Sequence, residues 1–153
     1  MALGLTAIVE AVSSHAAATG HYDRVNGAEP ANAPGAGVTA AVTLSDIRPA
    51  VGRSSLVSTS VRVQLSVRLY VPLTKQAPDS VDLELAAAID VLMARITGDF
   101  TLGGLIAEVD VLGAYGDGGM RVEPGYVDID GQTYRTAEIR LPAIVNDLWE
   151  QQP

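Results

Sequence analysis

The chain has 153 residues, no cysteine and a formal net charge of −8, with ten lysines and arginines against eighteen acidic residues. Its length favours one domain, which at this size buries roughly 68–70% of its unfolded surface and needs no covalent staples. The lack of thiols excludes disulfides, thiolate catalysis and thiolate metal sites, no apolar run reaches the ~18 residues of a membrane span, and so acidic a chain gains little from counterion release on DNA unless its cations gather on one face.

The start, Met1-Ala2-Leu3-Gly4-Leu5, lacks the basic region of a signal peptide, so a cytosolic setting is expected. Leu5, Ile8, Val9, Val12 and Ala16 recur at helical spacing and predict a helix over 4–19, with Gly20 as its stop. Residues 26–37 hold two prolines and three glycines and read as a flexible arm. Val38, Ala40, Val42 and Leu44 alternate with Thr39, Ala41 and Thr43, which predicts a strand over 38–44. Residues 45–58, with Pro49, Gly52, Arg48 and Arg53, read as a second loose stretch that protrudes while joining two strands.

The clearest pattern follows. Val61, Val63, Leu65, Val67, Leu69 and Val71 alternate with Arg62, Gln64, Ser66, Arg68 and Tyr70, eleven residues of strict period two. That exceeds the ~5–6 residues of an ordinary strand and predicts one buried and one wet face. Pro72 and Pro78 bracket a turn, and Asp79 or Ser80 then caps a helix to about Thr97, its buried stripe being Val81, Leu85, Ala88, Ile89, Leu92 and Ile96. Asp79, Asp82 and Glu84 suit its positive end, Arg95 its negative end, and Gly98 its stop. Ala107, Val109 and Val111 oppose Glu108 and Asp110 on a further strand, with both acids on a solvated face. Residues 113–119 form a glycine-rich loop, and 120–129 and 132–141 pair as a hairpin about Asp130-Gly131, the strongest short hairpin signal. Pro142 is expected to end the sheet, with Ile144, Leu148 and Trp149 in a last helical turn. The order predicts an α+β fold: a mostly antiparallel sheet, with a mixed one as the other option, and two main helices on one face.

The chemistry-bearing residues form no recognisable catalytic set. His15 and His21 are six apart, not at the i, i+4 spacing of a zinc pair. Asp128-Ile129-Asp130-Gly131 starts like a calcium loop, but Ala137 stands where the bidentate glutamate belongs. Gly113 to Gly119 fits neither phosphate-binding glycine pattern, and Ser54, Ser55, Ser58 and Ser60 lie in no nucleophile elbow. No enzyme activity, cofactor or metal is expected. The wet side of the long strand, Arg62, Gln64, Arg68 and Tyr70, is the candidate subunit interface, since arginine and tyrosine are enriched in interfaces.

This order of elements resembles the tail terminator proteins of long-tailed bacteriophages, minor tail proteins at the head–tail joint. The likeness spans nearly the whole chain: helix 5–19, strand–long loop–strand 38–71, helix 79–97 entered through Pro78-Asp79, and closing strands that reach Thr136-Ala137-Glu138-Ile139-Arg140-Leu141-Pro142 before a short tail. It rests on pattern and size, because no signature motif defines the family. The resemblance implies a single tail-terminator-like domain over 1–153, with loops near 26–37, 45–58 and 113–119 that order on contact with partners. It also implies a homohexameric ring in the virion, assembled in the host cytoplasm, that caps the tail tube protein, stops its polymerisation and offers a surface to the head connector protein. DNA would pass through unbound: six copies carry a formal −48, and acidic groups along a channel repel a polyanion. Two other readings fit the same residues. One is a different head–tail joining or completion protein, or a tail-tube subunit. The other is a small cytosolic α+β enzyme or ligand-binding domain, which requires a deep apolar pocket with convergent polar groups.

Overall fold

A computed structural model describes residues 4–27, 30, 37–52, 54–55, 57–73, 78–116 and 118–150. Among these residues two helices and six strands follow in chain order: α1 (Leu5–Ala18), β1 (Arg24–Asn26), β2 (Thr39–Pro49), β3 (Ser58–Pro72), α2 (Pro78–Thr97), β4 (Glu108–Val109), β5 (Arg121–Ile129) and β6 (Gln132–Glu150). The strands make one sheet in the order β1-β2-β3-β6-β4, with β5 also paired to β6. β1 runs parallel to β2 and every other pair is antiparallel, so the fold is α+β with a mixed sheet.

Both helices cover one face. Ile8, Val12 and Ala16 of α1 and Val81, Leu85, Ala88, Leu92 and Ile96 of α2 are buried with the odd-numbered row Val61 to Val71 of β3 and with Ala137, Ile139, Leu141 and Ala143 of β6. The 3.6-residue stripe and the two-residue alternation meet in one core, as their periods dictate. α1 ends where the Thr19 hydroxyl donates to the Ala16 carbonyl at 2.7 Å and Gly20 turns left-handed at φ 68°. Two contacts brace the helices through their flanking residues: the Tyr22 hydroxyl, just after α1, donates to the Ala88 carbonyl of α2 at 2.5 Å, and His15 Nε2 of α1 lies 2.9 Å from Oδ2 of Asp99, just after α2. Burial pushes the Tyr22 phenol well above its ordinary pKa.

The structure departs from the sequence expectations at several places, among them the unexpected strand β1 and a β4 of only Glu108–Val109 where 107–111 was expected. β2 does not stop at Leu44; it passes a register shift between Leu44 and Asp46 and runs to Pro49. The protrusion expected over 45–58 therefore shrinks to a turn after Ala50, whose N–H donates to the Ser60 carbonyl at 2.8 Å. Pro142 does not end the sheet either, since β6 continues eight residues beyond it to Glu150 in place of a helical turn. The Pro142 carbonyl accepts from the Asp110 N–H on the β4 side. In an antiparallel ladder a residue's N–H and C=O point the same way, so the missing proline donor faces that side and costs β3 nothing. Further on, β6 absorbs extra residues opposite Thr59–Val61: Asp147 takes φ 48°, its N–H bonds Ser60 Oγ at 3.1 Å and its carboxylate accepts from Ser58 Oγ at 2.7 Å. This is a bulge seated on residue types that tolerate the left-handed region. Finally, α2 ends at Thr97 as expected, but Gly98 is not among the positive-φ glycines. Most of the 26–37 segment, the side chain of Asp79 and residues 53, 56 and 117 lie outside what the structure describes.

Candidate functional site

The second face of the sheet carries the even-numbered residues of β3, and it is not uniformly wet. Arg62 and Tyr70, two of the four candidate interface residues, are 2% and 1% exposed. Gln64 and Arg68, the other two, are half-buried. Arg62 and Tyr70 are thus committed inside the chain's own fold, and the expectation of one continuous wet row is corrected.

The segment after β4 folds back over Arg62. Its Nε lies 3.5 Å from Asp110 Oδ2, its Nη1 donates to Gln64 Oε1 at 3.3 Å, and its Nη2 donates to the Gly118 carbonyl. Asp110 also accepts from the N–H groups of Ala114 at 2.8 Å and Tyr115 at 3.1 Å. A buried charge persists only when paired and hydrogen-bonded, and both conditions hold here. Asp110 is therefore not on a solvated face, as its alternation with Glu108 suggested. The glycines explain how the loop comes so close: a Cβ on Gly116 would sit 2.7 Å from Arg62 Cδ, and one on Gly119 would sit 2.0 Å from the Val111 carbonyl oxygen. The described residues of this loop, 113–116 and 118–119, lie over the sheet as a lid.

At the other end of this face, Tyr70 meets Tyr134 edge to face at 6.4 Å, packed with Ala41, Val127 and Ile129. Desolvation, with Asp130 nearby, raises the Tyr134 phenol above its ordinary pKa.

Between these covered ends lies an open polar strip. Glu138 accepts from Ser66 Oγ at 2.9 Å and sits 4.0 Å from Arg68 and 3.8 Å from Arg140. Glu123 lies 3.4 Å from Arg140 and 3.3 Å from Arg121. On β2, Asp46 pairs with Arg48. Counting outward from Asp130-Gly131, with φ 53° and 78°, sets Arg121 opposite Arg140. The hairpin signal contained that pairing, although the expected interface took residues from β3 alone.

Two sheet edges are unpaired among the described residues. β1 covers β2 only at Thr39–Ala41, so β2 is open from Val42 to Pro49. On the opposite side, β5 pairs only with β6. The exposed apolar side chains include Leu44 on the β2 edge, 45% exposed, and Tyr126 on the β5 edge, 65% exposed. An apolar groove of about 640 Å³ runs along Phe100, Val109, Val111, Leu112 and Tyr115, with Leu112 92% exposed.

The histidines sit apart: His15 on Asp99 and His21 beside Tyr22. Ser54, Ser55 and Ser58 bond within the 50–60 turn or to Asp147. Among the described residues no group of three or more His, Asp or Glu is placed to hold a metal ion, and no helix is long and apolar enough to cross a membrane. The sequence matches no model of a known protein family, and no curated protein matches it.

Proposed function

We propose that this chain is a structural protein of long-tailed bacteriophages that forms a ring on the head-proximal end of the tail tube, ends tube polymerisation and receives the head connector while DNA passes through. The observation that carries this reading is the pair of edges, unpaired among the described residues, on opposite sides of one sheet. An open edge is a template for another strand. Joining the β2 edge of one copy to the β5 edge of the next is a heterologous contact, and repeated contacts of that kind close into a ring when the rotation allows. The net charge of −8 suits a channel that DNA traverses without adhering. Ring, tube and connector contacts need no catalytic group, and the site residues of this reading are edge and strip residues rather than a reaction centre.

The test is assembly without the protein. Particles made in its absence are expected to carry tails of scattered length and heads that fail to join them; normal virions would overturn the proposal. A second reading, a small-molecule-binding domain, is favoured by the groove beside Phe100 and Leu112. Its one buried acid, Asp110, is already engaged by Arg62 and two backbone N–H groups. Thermal stabilisation by a metabolite, lost in Phe100→Ala, would establish that reading instead.

A further inference from the structure

We infer that the polar strip contains a binding site for a phosphoryl group, an assignment that goes beyond the ring reading and does not depend on it. A polar hollow of about 350 Å³ opens on this face between the β2 bulge and the start of β5. Arg48, Arg121 and Arg140 line it from three strands, with Ser45, Asp46 and Gln64 between them. The chain has only ten basic residues in all, so three guanidinium groups around one hollow are a concentration that the net charge of −8 hides.

The carboxylates around the hollow leave donors over on Arg121 and Arg140. Asp46 engages Arg48, and Glu123 is shared between Arg121 at 3.3 Å and Arg140 at 3.4 Å. Glu138 is shared among Ser66, Arg68 and Arg140. Each guanidinium has five N–H donors in a planar fork, and a carboxylate edge takes at most two of them. The Arg140 Nε is buried and has no hydrogen-bond partner among the described residues, a state that costs free energy. Gln64 accepts through Oε1 from Arg62, so its amide N–H groups are what it can offer, and Ser45 brings a hydroxyl. Donors that converge from several sides match a group with three or more oxygens better than a planar carboxylate. A phosphoryl group has that shape, whether on a small anion or on a nucleic-acid backbone.

The experiment is calorimetric titration of inorganic phosphate into the full chain at low ionic strength, repeated with Arg140→Gln, Arg121→Gln and Arg24→Gln. Arg121 has a side chain 54% exposed, so its variant reports on binding without a folding defect; Arg24 is an exposed arginine outside the hollow. Phosphate is expected to bind the parent and Arg24→Gln alike, and at least tenfold more weakly to the other two. A second arm adds a twelve-nucleotide single strand to the phosphate-loaded protein. Displacement assigns the phosphoryl source to nucleic acid and counts against DNA passing unbound in the ring reading, and retention assigns it to a small free anion; both outcomes support the site. Absence of phosphate binding to the parent, or equal binding by all four proteins, overturns it.

Discussion

Replacing Asp110 by alanine tests how the lid over β3 is held. The carboxylate lies 3.5 Å from Arg62 Nε, and the two side chains are only 3% and 1% exposed. At that distance and an effective dielectric of ~20, opposite charges attract by about 5 kcal/mol before desolvation is subtracted. Asp110 also accepts from the Ala114 and Tyr115 N–H groups, and a hydrogen bond to a charged group contributes about 1.5–3 kcal/mol net. Removing one partner of a buried pair costs about 3–5 kcal/mol, because the survivor stays charged and unpaired. Asp110→Ala should therefore lose about 3–5 kcal/mol in urea unfolding followed by circular dichroism, and its Tm should fall by roughly 6–20 °C for a chain of this size. Combining it with Arg62→Met removes the stranded charge and should recover part of the loss. A single mutant within about 1 kcal/mol of the parent, or a double mutant no better than the single, would refute the reasoning.

Other outcomes follow from the same geometry. Gly119→Ala drives a Cβ to 2.0 Å from a backbone carbonyl that has no rotamer to escape into, so thermal melting should show a loss of about 1–3 kcal/mol or more. Tyr22→Phe removes the bond to the Ala88 carbonyl and should cost about 1 kcal/mol at neutral pH. The sign at high pH is set by the raised Tyr22 pKa: the unfolded chain deprotonates near the ordinary value of ~10 while the folded chain stays neutral, so stability present below that pH is lost above it. Unfolding curves of the Phe variant should show a shallower decline above pH 10. Leu44→Lys places a cation on an exposed position of the open β2 edge and should melt within about 0.5 kcal/mol of the parent while failing to assemble; Tyr126→Lys on the β5 edge should fail to assemble likewise, but it also removes the ring that Arg135 stacks on at 4.5 Å and should cost about 0.5–1 kcal/mol.

Where local rules governed the fold, the sequence was legible. The stripe from Val81 to Ile96, the buried odd-numbered row from Val61 to Val71 and the turn at Asp130-Gly131 all depend on contacts close in the chain or on one period, and each appears as expected, whereas the wet even-numbered row does not. What escaped was set by partners distant in sequence. Pro142 reads as a stop until the Asp110 N–H beside β4 bonds its carbonyl, and Ile144 to Trp149 read as a helical turn until β3 draws them into the sheet around a bulge at Asp147. Alternation likewise says that Arg62 faces away from the helices, but not that Asp110, forty-eight residues later, will cover it. The glycines of 113–119 suggested freedom where they supply close approach. Of the four expected interface residues, Gln64 and Arg68 stay at the surface of the strip, whereas Arg48, Arg121 and Arg140, which line its hollow, required the pairings of β2 and β5 to be known.

The ring joined through the β2 and β5 edges is the central claim, and tail length measures it directly. Particles assembled without the chain should be supplied with either the parent protein or Leu44→Lys and their tails measured by electron microscopy. The parent is expected to restore tails of one length joined to heads, and Leu44→Lys, though folded, to leave lengths scattered and heads free. Uniform, head-joined tails with Leu44→Lys would contradict closure through that edge, and uniform tails with no added protein would contradict the proposed function itself.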